Sequence, residues 1–154
     1  EIIFIILGDG DAKNEIVETI RQYELKNVLM PPPVSGPGMV AKYINYSDAC
    51  VMPLKPEMVT STITRPSKIF EFWACGKPLI SCTKGEVEKL TNESGAGIVV
   101  TPGDTKGLVE AIRTLYKDPE LTREMGTNAR EVVVDRFSYE TLKAAIENTF
   151  ARIN

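Results

Sequence analysis

Residues 65–78 read Arg-Pro-Ser-Lys-Ile-Phe-Glu-Phe-Trp-Ala-Cys-Gly-Lys-Pro, and their punctuation decides how the chain is laid out. Pro66 and Ser67 suit a first helical turn, and Gly76-Lys77-Pro78 suits a helix end. The spacing therefore predicts a short helix over about residues 67–75, followed at once by an apolar strand at 78–82. Strand and helix in short alternation imply a parallel sheet with helices on both faces.

The same alternation extends in both directions. Residues 2–7 are a continuous apolar run ending in Gly8-Asp9-Gly10-Asp11, which reads as a buried strand and a turn. Ile16, Ile20 and Tyr23 recur at helical spacing, residues 27–30 make a second strand, and Pro31-Pro32-Pro33 stops it. A helix over about 39–46 leads to a strand at 49–52, ended by Pro53. Beyond the helix at 67–75, residues 86–90 read as a short helix and 97–100 as a last strand. Asp104 caps a helix whose stripe is Leu108, Ala111, Ile112 and Leu115. Asp118-Pro119 starts another, and Ser138 opens a final helix with Leu142, Ala145, Ile146, Thr149 and Phe150 facing inward. No internal repeat, low-complexity segment or linker interrupts the 154 residues, which make one domain by size.

Composition excludes several classes of function. With 43% hydrophobic and 25% charged residues and a net charge of −3, the chain lacks the basic stripe of a nucleic-acid binder. No uncharged apolar run approaches the ~20 residues of a membrane span. The count of histidines is zero, which removes Ser-His-Asp and Cys-His nucleophiles and imidazole metal sites. Cys50, Cys75 and Cys82 sit in apolar contexts without metal spacing and read as reduced core residues of a cytoplasmic protein. Asp9 and Asp11 read as turn-capping groups, so no metal site is expected. The chain opens on a strand-like run with no signal peptide and no initiating Met, which leads us to expect a piece of a longer protein.

The helix at 67–75 also carries the candidate chemistry. A helix start suits a phosphate, and Glu71, three positions after Lys68, can accept hydrogen bonds from sugar hydroxyls one turn deeper. This describes a site for a nucleoside diphosphate and its ribose. The plain alternative is a surface ion pair between Lys68 and Glu71 at i, i+3. Lys68 and Arg65 can place positive charge against a diphosphate, or be solvated. Ser67 either caps the helix or donates to a phosphate oxygen. Residues 55–64 read as a polar loop, in which Thr64 is a further phosphate donor or an ordinary solvated residue. Loops at 8–11, 33–35, 53–64 and 83–86 all follow strand ends, where open α/β sheets bind ligands. Gly8-Asp9-Gly10 is not a dinucleotide fingerprint, because Lys13 stands where the third glycine would be. Phe70 and Trp73 read as packing residues.

The pattern Pro-Ser-Lys-x-x-Glu-x-x-Ala-x-Gly-x-Pro at 66–78 resembles the donor-binding signature of family 4 retaining glycosyltransferases. The resemblance continues in order through Leu-Gly-Asp-Gly at 7–10, Ser-Asp-Ala at 47–49, Gly95-Ala-Gly-Ile98 and Thr101-Pro-Gly-Asp104. It ends with Asp118-Pro-Glu-Leu121, Met125-Gly126 and Arg136-Phe-Ser138. It implies an α/β fold, the C-terminal half of a GT-B enzyme with a Rossmann-like parallel sheet, here without its first strand–helix unit. By that resemblance Glu71 holds the ribose of a nucleotide-sugar, and Pro33, Val34 and Ser35 lie where the base is held. Gly10 lies in the donor-side rim. The donor, UDP- or GDP-linked, is a substrate, and no cofactor or metal is implied. Many relatives carry a glutamate eight positions before the ribose-binding one; here that position is Ile63, and no catalytic residue is assigned.

The resemblance makes residues 1–154 the donor domain of a two-domain enzyme that transfers sugar with retention, as in cell-surface polysaccharide synthesis. The acceptor-binding N-terminal domain would be its missing partner. The fragment alone is expected to be inactive and prone to self-association through an exposed sheet edge. The intact enzyme would be cytoplasmic, with peripheral membrane association open to it. A nucleotide-sugar 2-epimerase of the same architecture and a non-enzymatic regulatory α/β module are the rival readings.

Overall fold

A computed structural model describes residues 1–54 and 65–151. The chain divides into two units, Glu1–Lys42 and Tyr43–Asn154.

In the first unit, β1 (Phe4–Ile5) pairs in parallel with β2 (Val28–Leu29), Phe4 opposite Val28 and Ile5 opposite Leu29. Phe4 N donates to Asn27 O at 2.8 Å and Ile6 N to Leu29 O at 2.9 Å. The crossover is α1 (Lys13–Gln22), with Ile16, Val17 and Ile20 half-buried. Lys13 is ion-paired with Asp9 at 2.6 Å. The expected buried strand at 2–7 is corrected. Only two residues pair, Phe4 and Ile5 are both exposed, and Ile3 is 58% exposed. Burial of a parallel strand needs neighbours on both edges and both faces. Among the described residues β1 has β2 alone as a ladder partner.

The helix α2 (Pro37–Tyr46) runs across the division between the units. In the second unit β3 (Cys50–Pro53), β4 (Leu79–Cys82) and β5 (Gly97–Val99) form a parallel sheet in the order β3-β4-β5. Pro53 closes β3 from inside its last position, opposite Cys82, rather than just beyond it. β4 is central and buried at all four residues. Gly97 allows β5 to lie close: a Cβ there would stand 2.8 Å from Leu79 N.

Among the described residues five helices flank this sheet or follow it: α3 (Lys68–Ala74), α4 (Glu86–Ser94), α5 (Thr105–Lys117), α6 (Pro119–Phe137) and α7 (Tyr139–Ala151). Alternation along β4 feeds two cores. Leu79 joins Ile69, Trp73, Val87, Leu90, Ala96 and Ala129 in one. Ile80 and Cys82 join Val100, Ala111 and Leu115 in the other, with Leu108 and Ile112 against them. The stripe expected on α5 is thus the one that packs. Asp104 accepts from Gly107 N and Asp118 from Leu121 N, both at 2.9 Å, so the two caps form where the sequence places them.

The final helix is corrected. Ser138 does open α7, with its hydroxyl accepting from Thr141 N at 3.2 Å. However, Leu142, Ala145, Ile146, Thr149 and Phe150 are exposed, Phe150 by 65%. Periodicity announces an apolar face but not what lies opposite it, and no described residue buries this one. All three cysteines are free, Cys50 and Cys82 buried and Cys75 half-buried. Burial, with Cys75 nearby, pushes the Cys50 thiol up to about 12.

Candidate functional site

The parallel pairing of β3 with β4 places the start of α3 at the C-terminal edge of the sheet, because α3 is the crossover between them. The turn 83–86 after β4 and Thr101–Asp104 after β5 emerge at the same edge. At the end of β4 the buried hydroxyls of Ser81 and Thr83 meet at 2.5 Å.

α3 is two-faced. Ile69 and Trp73 are fully buried in the core, and Phe70 packs on Phe137 with ring centroids 4.7 Å apart. Both aromatics are thus packing residues, as the sequence reading expected, although Trp73 Nε1 has no hydrogen-bond partner among the described residues. Lys68 and Glu71 are exposed on the opposite side, one turn apart. Among the described residues no ion pair joins Lys68 to Glu71, so the plain i, i+3 pairing does not form. A carboxylate and an ammonium therefore stand on one solvent face with their hydrogen-bonding capacity unspent on each other.

Ser67 does not cap. Its backbone is itself helical, at φ −56° and ψ −28°, and its side chain makes no capping bond. An N-cap residue needs extended dihedrals to turn its oxygen toward the first N–H groups. Ser67 instead extends the turn through its carbonyl, which accepts from Phe70 N at 3.0 Å. Arg65 is exposed just before it, and Thr64 and Ile63 lie outside the described residues.

Arg65, Ser67, Lys68 and Glu71 are therefore brought together on one short segment of the second unit. Gly10, Pro33, Val34 and Ser35 belong to the first unit, where they follow β1 and β2 at the C-terminal end of that strand pair. Gly10, Pro33 and Ser35 are exposed and Val34 is half-buried. What sequence reasoning missed is the support from α6. Arg130 donates through Nη1 to Ala74 O, and Asn128 Nδ2 donates to Gly95 O at 3.2 Å. Neither contact has a local signal, since the partners are 56 and 33 positions apart.

Comparison with known proteins bears on the family and the fold. The family described as Glycosyl transferases group 1 matches residues 1–132. N-acetyl-alpha-D-glucosaminyl L-malate synthase of Bacillus anthracis is 23% identical over 146 residues, which cover 95% of this chain and 36% of that protein. Alpha-D-kanosaminyltransferase of Streptomyces kanamyceticus is 26% identical over 135 residues, 88% of this chain and 33% of that one. The chain thus spans about a third of the length of the curated relatives it matches. Anabaena HepE in complex with UDP superposes with a TM-score of 0.80 at 21% identity, over 98% of this chain and 41% of that one. That likeness places the chain in the GT-B fold, as the sequence pattern implied. No described helix is long and apolar enough to cross a membrane. The chain belongs to the group 1 glycosyl transferases.

Proposed function

We propose that this chain is the donor-binding domain of a two-domain enzyme, and that it holds a nucleotide-sugar, UDP- or GDP-linked, through Glu71. The observation that carries the reading is a carboxylate exposed on α3 at the C-terminal edge of a parallel sheet, unpaired with Lys68, in a chain of this family. Glu71 accepts hydrogen bonds from the two ribose hydroxyls. Lys68 and Arg65 offset the charge that grows on the leaving diphosphate, which lowers the barrier where negative charge develops. Ser67 and Thr64 donate to phosphate oxygens.

In the intact enzyme an acceptor-binding domain completes the cleft, and the sugar is transferred with retention and without a metal ion. Closure of the two domains excludes water and aligns donor with acceptor. The acceptor belongs to cell-surface polysaccharide assembly on the cytoplasmic side, with the enzyme peripheral to the membrane. The isolated chain binds donor and does not transfer. With Ile63 at the position of the usual first glutamate, a group other than a carboxylate at 63 contacts the transferred sugar. Support comes from the family match, from relatives named for sugar transfer and from a structural neighbour crystallised with UDP.

Calorimetric titration of UDP, GDP and ADP into the protein and its Glu71→Ala variant tests this. Hydrogen bonds to a charged group contribute about 1.5–3 kcal/mol, so the variant should bind the preferred nucleotide roughly 10- to 150-fold more weakly. Equal affinity of the two proteins would overturn the reading. Anomeric configuration of the product, followed by NMR, tests retention.

A further inference from the structure

The seven residues of α3 make two turns, and a helix so short does not hold its own position in water. Its place must come from what grips it. Ile69 and Trp73 anchor the inner face in the core, while Lys68 and Glu71 on the outer face have no such cover.

The far end of the helix carries a further hold. The last four carbonyls of a helix lack intrahelical partners. Here Glu71 O and Phe72 O accept from Cys75 N at 3.2 Å, Phe72 O also from Lys77 N at 3.1 Å, and Trp73 O from Gly76 N at 2.9 Å. Ala74 O, the one left over, accepts from the Arg130 guanidinium on α6. One turn earlier on α6, Gly126 lets the backbones meet: a Cβ there would collide with Gly76 O and stand 3.6 Å from Pro78 Cδ. A cation at a helix C-terminus is also favoured by the dipole, and a charge-assisted bond is stronger than a neutral one.

We infer that Arg130, by holding the Ala74 carbonyl three residues beyond Glu71, is a positioning residue that sets where the Glu71 carboxylate stands. The inference rests on the proposed nucleotide reading. Arg130 itself touches no ligand. Losing it frees the last turn of α3 to rotate, and the outward carboxylate then samples positions off the ribose.

The test is a double-mutant cycle on UDP affinity in the intact protein, measured by calorimetry with GDP and ADP alongside. Residues coupled through one structural element interact beyond additivity. Arg130→Ala should weaken UDP binding roughly three- to tenfold when Glu71 is present, and by less than about 1.5-fold in the Glu71→Ala background. If Arg130→Ala is not folded at the assay temperature, Arg130→Gln, which keeps a donor but not the charge, serves in the same cycle. Equal weakening in both backgrounds would reduce Arg130 to a structural residue and overturn the inference, as would no weakening in either. If Glu71→Ala alone leaves UDP, GDP and ADP binding unchanged, the nucleotide reading itself fails, and this inference falls with it.

Discussion

Replacing Gly126 with alanine should destabilise the protein, although the same replacement in most helices does the opposite. Alanine is favoured over glycine in a helix interior by about 0.8–1.0 kcal/mol. Gly38, in the first turn of α2, has no atom of the described residues within 4 Å of an added Cβ, so Gly38→Ala keeps the greater part of that gain. Gly126 is different because what the Cβ meets is backbone: the Gly76 carbonyl oxygen, with Gly76 C at 3.3 Å. A backbone carbonyl cannot rotate aside like a flexible side chain. α6 and the turn after α3 must move apart, and overpacking of this kind costs about 1–3 kcal/mol. After the helix gain is subtracted, up to about 2 kcal/mol of net destabilisation remains.

Urea unfolding followed by circular dichroism reads both signs together, with unchanged m-values showing that the same transition is compared. In thermal melts each kcal/mol shifts a chain of this size by about 2–4 °C. Gly126→Ala should therefore melt several degrees lower, and Gly38→Ala slightly higher. If Gly126→Ala matched or exceeded the parent protein, α6 and the Gly76 turn would be free to separate. The close approach that brings Arg130 to Ala74 would then carry no energy, and the reasoning about how α3 is held would be wrong.

Two further expectations follow from other parts of the structure. Asp118→Ala removes the acceptor of Leu121 N at the start of α6 and should cost about 1 kcal/mol in urea unfolding, with Asp118→Asn losing much less. Cys50, raised from its ordinary value of 9.0 to about 12, stays a thiol in the folded protein while the unfolded chain ionises. The unfolded state then binds fewer protons, so this group's contribution to stability is complete below pH 9.0 and declines as pH climbs toward about 12. A Cys50→Ser variant, compared with the parent by urea unfolding across that range, should show a flatter decline. An identical slope would refute the assignment.

What could be read in the chain and what could not divides along sequence distance. The caps at Asp104 and Asp118 were legible because each side chain reaches a backbone N–H three residues on, a relation that spacing alone encodes. The shared outward face of Lys68 and Glu71 was legible for the same reason, since i and i+3 lie together on any helix. Ser67 stayed open between two readings because capping depends on a dihedral pair, and residue type only biases that choice. The apolar run at 2–7 and the stripe of α7 did mislead. Each has the correct local pattern, yet burial is conferred by whatever lies across from it, and here residues 3–5 and the α7 stripe stay exposed. The support of α3 sits at the far end of this scale. Arg130 reads as an ordinary charge on a long helix until the fold brings it to a carbonyl 56 residues away. If α3 is held from that distance, the residues that tune nucleotide affinity extend past the signature itself. Substitutions on α6 would then alter binding in a protein whose signature is intact.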